Sequence, residues 1–308
     1  MIKKTLLLLC VTFMLGLFVP RLNLAAQENA GWQDYPAKET QRPITIGDNI
    51  WEIDIYVDSL STDREYNEDG EIEDAYGSYN IFSAELALRY GFSRSWQMSV
   101  TAPYISGEIG DVTGGSIGDL RAGLTYELFI NQNHSMSFGS EFSVPSGLSD
   151  YHYELVGDEI RLDYFRTGDP GYNLYPALAY RYRGDRVSFR MRATGVFTGT
   201  GEIRFNQIKG FENKEDLDPG DGYRIRTGFY YQFKEKWAAG LFGRYENISE
   251  SRVDDEGLDD DNELMEAGPF IVYHATRQVD VSLGIGVPIF GRNNPSGYPV
   301  LLEVRSRF

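Results

Sequence analysis

The sequence has 308 residues and a formal net charge of −17 at pH 7. Such an acidic chain is a poor match for a polyanion, which excludes nucleic acid as an expected partner. The single cysteine is Cys10, so we expect a fold that is held together without disulfides, and the remaining length fits one large all-β domain.

The N-terminus has the pattern of an export signal. Two lysines precede an apolar run over residues 5–19, which is short for a membrane span and typical of a signal peptide. Ala25 and Ala26 supply small residues for cleavage, and no stop-transfer pattern follows that would favour an uncleaved anchor. We predict a signal peptide over residues 1–26 and an N-terminal periplasmic segment over residues 27–47.

Segments of strand character then follow one another to the end of the chain. Each is roughly 10 to 13 residues long, which matches the ~9 to 11 tilted residues that cross a bilayer as a strand. The twelve predicted strands cover residues 48–57, 79–90, 96–105, 117–129, 135–145, 172–182, 187–198, 222–233, 237–246, 263–274, 279–289 and 298–308.

The connections between these segments alternate between short and long. The short ones include "GFSRS", "RGDR" and "KEK", and the long ones include residues 58–78, 146–171 and 199–221. Short periplasmic turns and long outer loops are typical of bacterial outer-membrane barrels. A soluble sandwich has no reason to keep every long loop at one end.

Apolar and polar residues alternate within the segments, as in "GDLRAGLTYELF". Leu120 to Leu128 supply one apolar face, while Arg121 and Glu127 lie on the other. Either a soluble sandwich or a barrel can produce this period of two. Strand length, loop alternation, the signal peptide and the C-terminal Phe308 together favour a twelve-stranded antiparallel transmembrane β-barrel over residues 48–308, in the bacterial outer membrane.

In such a barrel the charged face lines the lumen. Two interpretations stay open: the charges cross-pair into a network that plugs a narrow barrel, or an arginine wall faces a carboxylate wall across a water-filled pore and favours anions. The predicted lumen and selectivity residues are Arg181, Arg190, Arg192, Arg224, Arg226, Arg244, Glu85, Asp119, Glu127 and Glu141.

The acidity of the chain is concentrated in four long connections, which hold 27 acidic and 7 basic residues. They are either solvated loops or sites for Ca²⁺ or Mg²⁺ that bridge the protein to lipopolysaccharide. The stretch "EYNEDGEIE" partly matches a calcium loop, although its closing Glu is missing. The weak metal candidates are Glu65, Asn67, Asp69, Asp259, Asp260 and Asp261; no other cofactor is expected.

An enzymatic function is the less favoured alternative. His152 lies in an outer connection beside Asp150 and Glu154, where a barrel hydrolase could hold a rim site. The sequence contains no HExxH or CxxC motif. We therefore expect a protein that is not an enzyme.

Four stretches carry a resemblance to a known family: "ALRYGFSRSWQMSVTAPY", "GSIGDLRAGLTYELF", "FSVPSG" and "GYNLYPALAYRY". They resemble the outer-membrane barrel family named for the MetA pathway of phenol degradation, with Pro145, Ser146 and Gly147 where the family has Pro-Thr-Gly. The resemblance implies a transporter of small compounds, aromatic ones included, with no catalytic residues.

Together these observations predict a monomeric channel for passive passage or binding of small anionic or aromatic solutes. The alternatives are the rim hydrolase and a plugged structural barrel. Its expected partners are outer-membrane lipid and lipopolysaccharide, a small-molecule solute, and the barrel-assembly machinery, which would recognise Phe308.

Overall fold

The computed structural model describes residues 36, 38–109, 112–148, 151–156, 159–162, 167–206, 213–253, 256–257 and 260–308. The predicted signal peptide lies outside these residues. The barrel strands are β1 (Ile50–Tyr66), β2 (Ile72–Gly91), β3 (Trp96–Ile109), β4 (Leu120–Phe129), β5 (His134–Val144), β6 (Asn173–Arg183), β7 (Val187–Val196), β8 (Gly222–Lys234), β9 (Trp237–Ile248), β10 (Asn262–His274), β11 (Val279–Ile285, continued by Val287–Arg292) and β12 (Val300–Arg307).

These strands close into an antiparallel barrel, which confirms the fold class expected from the sequence. Each strand pairs with its neighbours in the chain, and β12 pairs with β1 from Glu52↔Arg307 to Ser59↔Val300. The backbones of Trp51 and Phe308 exchange both hydrogen bonds, at 2.9 and 3.0 Å. Closure satisfies the backbone groups that a bilayer leaves without water. Within the described ranges, no helix is long and apolar enough to cross a membrane.

The barrel exposes its apolar residues on the outside. On β4, Leu120 and Leu128 are 40% and 45% exposed, whereas Glu127 is fully buried. Val100 and Leu241, on other strands, are 55% and 60% exposed. A soluble sandwich would bury this apolar face. In this barrel the apolar side chains therefore face the lipid, and the charged side chains face the lumen. This gives the chain the architecture of a bacterial outer-membrane barrel.

Aromatic pairs lie near the end of the barrel that carries the short turns, which we take as the periplasmic end. Trp51 stacks on Tyr90 with ring centroids 4.5 Å apart, and Trp237 lies 4.6 Å from Tyr273 across β9 and β10. Aromatic rings favour the boundary between acyl chains and water. The pairs therefore mark a membrane interface.

The outer connections contain more strand than the sequence predicts. Residues 58–78 are predicted as a loop, but β1 and β2 continue as a hairpin as far as Tyr66 and Ile72. Pairing can extend beyond the bilayer because water solvates polar side chains on both faces of the hairpin. A further strand, Val112–Ile117, pairs with the end of β3.

Segments from three long connections form a second sheet at the outer end. One of its contacts is a parallel pair between residues 151–152 and 205–206, and Ile203 and Leu217 are fully buried within it. The strands, in sheet order, are Glu256–Gly257, Arg252–Val253, Asn213–Asp218, Gly201–Asn206, Tyr151–Val156 and Glu159–Leu162. A short strand, Asn294–Pro295, pairs separately with the end of β1.

The outward orientation of the apolar face can be tested at Leu241. We expect Leu241→Arg to lower the free energy of unfolding from lipid vesicles by about 2–4 kcal/mol, because a charge on the lipid-facing side of β9 loses its hydration. Urea titration followed by tryptophan fluorescence measures this change. Leu241→Phe is the matched control and should unfold like the wild type. Equal stability of Leu241→Arg would mean that this face meets water.

Candidate functional site

The segment before β1 lies inside the barrel, against its inner wall near the periplasmic end. Thr45 donates hydrogen bonds from its backbone N–H and its Oγ1 to Glu127 Oε2, at 2.7 and 2.8 Å, and the N–H of Ile46 donates to Gln97 Oε1 at 3.1 Å. At Gly91, a Cβ atom would lie only 1.6 Å from the carbonyl oxygen of Gly47. The described part of the predicted periplasmic segment therefore narrows the lumen.

One carboxylate, Asp280 on β11, fastens this segment to the wall. Arg42 donates from Nη1 to Asp280 Oδ2 at 2.5 Å and from Nη2 to Oδ1 at 3.0 Å. Arg307 also donates to Oδ2, and His274 Nδ1 lies 2.7 Å from Oδ1. All four side chains are buried. Bidentate pairing of this kind fixes geometry as well as charge.

A second carboxylate, Glu39, is supplied by the segment itself and is fully buried. Arg42 lies 2.9 Å away, Arg305 and Arg181 lie 3.5 and 3.6 Å away, and Arg190 also donates to it. Burial by itself raises the pKa of Glu39, but the four guanidinium groups outweigh it and hold that pKa well below the usual range. Glu39 therefore carries its charge at neutral pH.

Most of the sequence-predicted lumen residues form ion pairs. Arg121 lies 2.7 Å from Glu85, and Arg192 lies 3.0 Å from Glu141. The remaining pairs join Arg224 to Glu246 and Arg244 to both Glu266 and Asp58. Such pairing offsets the cost of placing these mostly half-buried charges in the lumen wall.

Two predicted lumen residues hold backbone in place. Asp119 accepts hydrogen bonds from the backbone N–H groups of Ser146, Gly147 and Asp169, at 2.8–3.0 Å, and so joins the ends of outer connections. Glu127 holds Thr45, as described above. Their contacts within the described residues are structural.

An open cavity of about 390 Å³ remains in the lumen, and its lining carries eight arginines and four carboxylates. Arg192, Arg226 and Arg244 face one another in register across β7, β8 and β9. Like charges in directly opposed positions repel. Arg192 and Arg244 have carboxylate partners, whereas Arg226 forms no ion pair with any residue that the structure describes. Arg226 therefore places a positive charge on the lining that no described carboxylate contacts directly, and Glu85 interacts with it only at longer range.

Sequence reasoning missed the residues that fasten the internal segment. Glu39 and Arg42 lie in "KETQRP", which has no strand periodicity to indicate an inward position. Asp280 carried a usable signal, because it alternates with Val279 and Val281 and so belongs to the charged face.

The predicted metal residues do not converge on one site. Asn67 Oδ1 accepts from the N–H groups of Asp69 and Glu71, and Glu65 accepts from the hydroxyl of Tyr79. Among the described residues, no group of three His, Cys, Asp or Glu side chains could hold a metal ion.

The other candidates lie apart from one another. Asp260 accepts from the N–H of Ser251, and Asp261 pairs with Arg292 at 2.7 Å. Asp259 lies outside the described residues, as does the side chain of His152. Cation binding by these residues and the hydrolase alternative stay predictions.

The chain was compared with known proteins. No protein-family model matches the sequence, and no curated protein sequence matches it. The fold is similar to the crystal structure of the COG4313 outer membrane channel from Pseudomonas putida F1, with a TM-score of 0.69 and 13% identity over 85% of this chain and 96% of that one.

Two further structures are less similar, with TM-scores below 0.5. The KdgM porin gives a TM-score of 0.48 at 12% identity, over 83% of this chain and 99% of that one. The TodX deltaS2S3 mutant monoaromatic hydrocarbon channel gives 0.46 at 11% identity, over 91% and 93%. At 13% identity, the similarity to the COG4313 channel shows the fold alone, that of an outer-membrane β-barrel. Membership of the MetA-pathway family stays a prediction.

The role of Glu39 can be tested by removing its charge. We expect Glu39→Gln to raise single-channel conductance at pH 7, because the internal segment loses its arginine contacts and widens the lumen. A carboxylate with a lowered pKa keeps its stabilising effect above its ordinary range and loses it only as the pH falls through the lowered value. Wild-type conductance should therefore stay constant from pH 7 down to about pH 5.

The control for this experiment is Glu68→Gln, which alters an exposed carboxylate of the outer hairpin. It should conduct like the wild type. If Glu39→Gln also conducts like the wild type, Glu39 does not hold the segment in the lumen.

Proposed function

We propose that this protein is an outer-membrane channel whose lumen favours small anions. The observation that carries the proposal is Arg226, which lines the cavity and forms no ion pair with any described residue. A low-dielectric wall concentrates the field of such a charge on the solute path. Cations of similar size are repelled at the same place.

The internal segment limits the size of the solute that can pass through the lumen. Glu39, Arg42 and Pro43 contribute to the lining of the cavity, so a solute meets this segment before it reaches the periplasmic end. Passive passage then requires a small solute or a movement of the segment.

The remaining expectations belong to the same proposal. The protein acts as a monomer without enzymatic activity, surrounded by outer-membrane lipid and lipopolysaccharide, and the acidic outer connections bind Ca²⁺ or Mg²⁺. Phe308 is 51% exposed beside Trp51, where the barrel-assembly machinery could reach it. The resemblance of the sequence to the MetA-pathway family supports small compounds as the solutes of the channel.

The proposal predicts that Arg226 sets the anion preference. We expect Arg226→Gln to reduce the chloride-to-potassium permeability ratio roughly twofold or more, since a positive charge is removed from the lumen wall. Reversal potentials in planar bilayers under a KCl gradient measure this ratio. Arg226 is a sharper test than Arg190 or Arg224, because each of those neutralises a carboxylate that the substitution would release.

Arg64→Gln, at an exposed position of the outer hairpin, is the matched control and should leave the ratio unchanged. A wild-type channel that prefers potassium would overturn the proposal. So would a barrel that does not conduct at all, which would favour a plugged structural role.

A further inference from the structure

Next to the arginine row, the inner wall carries an apolar face. Across β7 to β10, the row Arg192, Arg226, Arg244 and Glu266 is followed by the row Arg190, Gly228, Phe242 and Gly268. The next row contains Tyr230, Gly240, Phe270 and Gly284. Aromatic residues and glycines therefore alternate on the inward positions of three neighbouring strands.

The glycines let the aromatic rings lie over the wall. A Cβ atom at Gly240 would be 2.7 Å from Phe270 Cζ, and one at Gly268 would be 3.1 Å from Phe242 Cε1. Side chains at these positions would push the rings away from the sheet. The result is an apolar surface beside the charged groups of the lumen.

Two of the three rings stay available to a solute. Arg190 already covers Tyr230, with its guanidinium carbon 4.3 Å from the ring centroid. Phe270 meets the same Tyr230 ring edge-on at 4.8 Å, and Phe242 makes no ring contact within the described residues. Phe242 and Phe270 are both half-buried and line the cavity.

The apolar surface lies within reach of the unpaired charge. Arg226 and Gly228 are two residues apart on β8, a separation of about 6.7 Å along a strand. Gly228 is directly opposite Phe242. A small ring with one carboxylate spans such a distance. The guanidinium would bind the carboxylate with a bidentate, charge-assisted geometry, while the ring contacts Phe242 and Phe270.

We propose that this surface is a binding site for small aromatic carboxylates, with the carboxylate on Arg226 and the ring over Phe242 and Phe270. The inference rests on the proposed anion preference and names the class of anion. Binding would compensate the charge of Arg226 and reduce its repulsion from Arg192 and Arg244. An anion without a ring would contact Arg226 but would not contact Phe242 and Phe270.

Block of chloride current tests the site in the full-length protein. With benzoate and acetate as probes, we expect benzoate to reduce wild-type chloride current at a concentration about tenfold lower than acetate. In the double variant Phe242→Leu, Phe270→Leu this difference between the two probes should disappear, with block expressed relative to the variant's own chloride current. Heat-modifiable migration on gels checks that the variant barrel is folded.

Phe229→Leu is the matched control, because Phe229 lies on β8 with 44% of its surface exposed on the lipid side. It should keep the benzoate preference of the wild type. Equal block by benzoate and acetate in a wild-type channel that still prefers anions would overturn the site and leave the proposed function standing. Retention of the benzoate preference in the double variant would also overturn it. A wild-type channel that shows no preference for anions would instead reject the proposed function.

Discussion

The continuous hydrogen-bonded ladder, closed between β12 and β1, is the constraint on which the other features depend. A bilayer offers no partner to a free backbone group, so strands can cross it only in a closed sheet. Closure fixes which alternate residues face lipid and which face the lumen. Polar side chains on the second set must then find partners, water or solute inside. The charge chemistry of the lumen therefore follows from the backbone.

Most of the described charged side chains in the lumen form ion pairs. Some of the charged partners come from the segment before β1, which is not part of the barrel wall. Glu39 places one carboxylate among four guanidinium groups, and Arg42 returns a cation to Asp280. Isolated charges in these positions would cost far more than paired ones. The segment before β1 is thus an electrostatic component of the lumen. Arg226 forms no ion pair among the described residues, and it lines the open cavity.

Much of the fold could be predicted from the sequence. The alternation in "GDLRAGLTYELF" correctly indicated the faces of β4, and every predicted strand overlaps an observed one. The outer connections could not be predicted as strands, because burial of Ile203 and Leu217 depends on distant loops meeting in space. Periodicity also cannot distinguish Arg224 from Arg226. They share one face of β8, and only the position of Glu246 on the neighbouring strand separates the paired residue from the unpaired one.

The second sheet restricts where the outer connections of this barrel can change in length. Because it joins three connections edge to edge, a residue inserted into any of them would displace its strand partners in the others. The turn at residues 67–71 lies outside the second sheet, at the tip of the hairpin formed by β1 and β2. Foreign epitopes and natural length changes should accordingly be tolerated best at that turn, which makes it the place to graft a peptide for display.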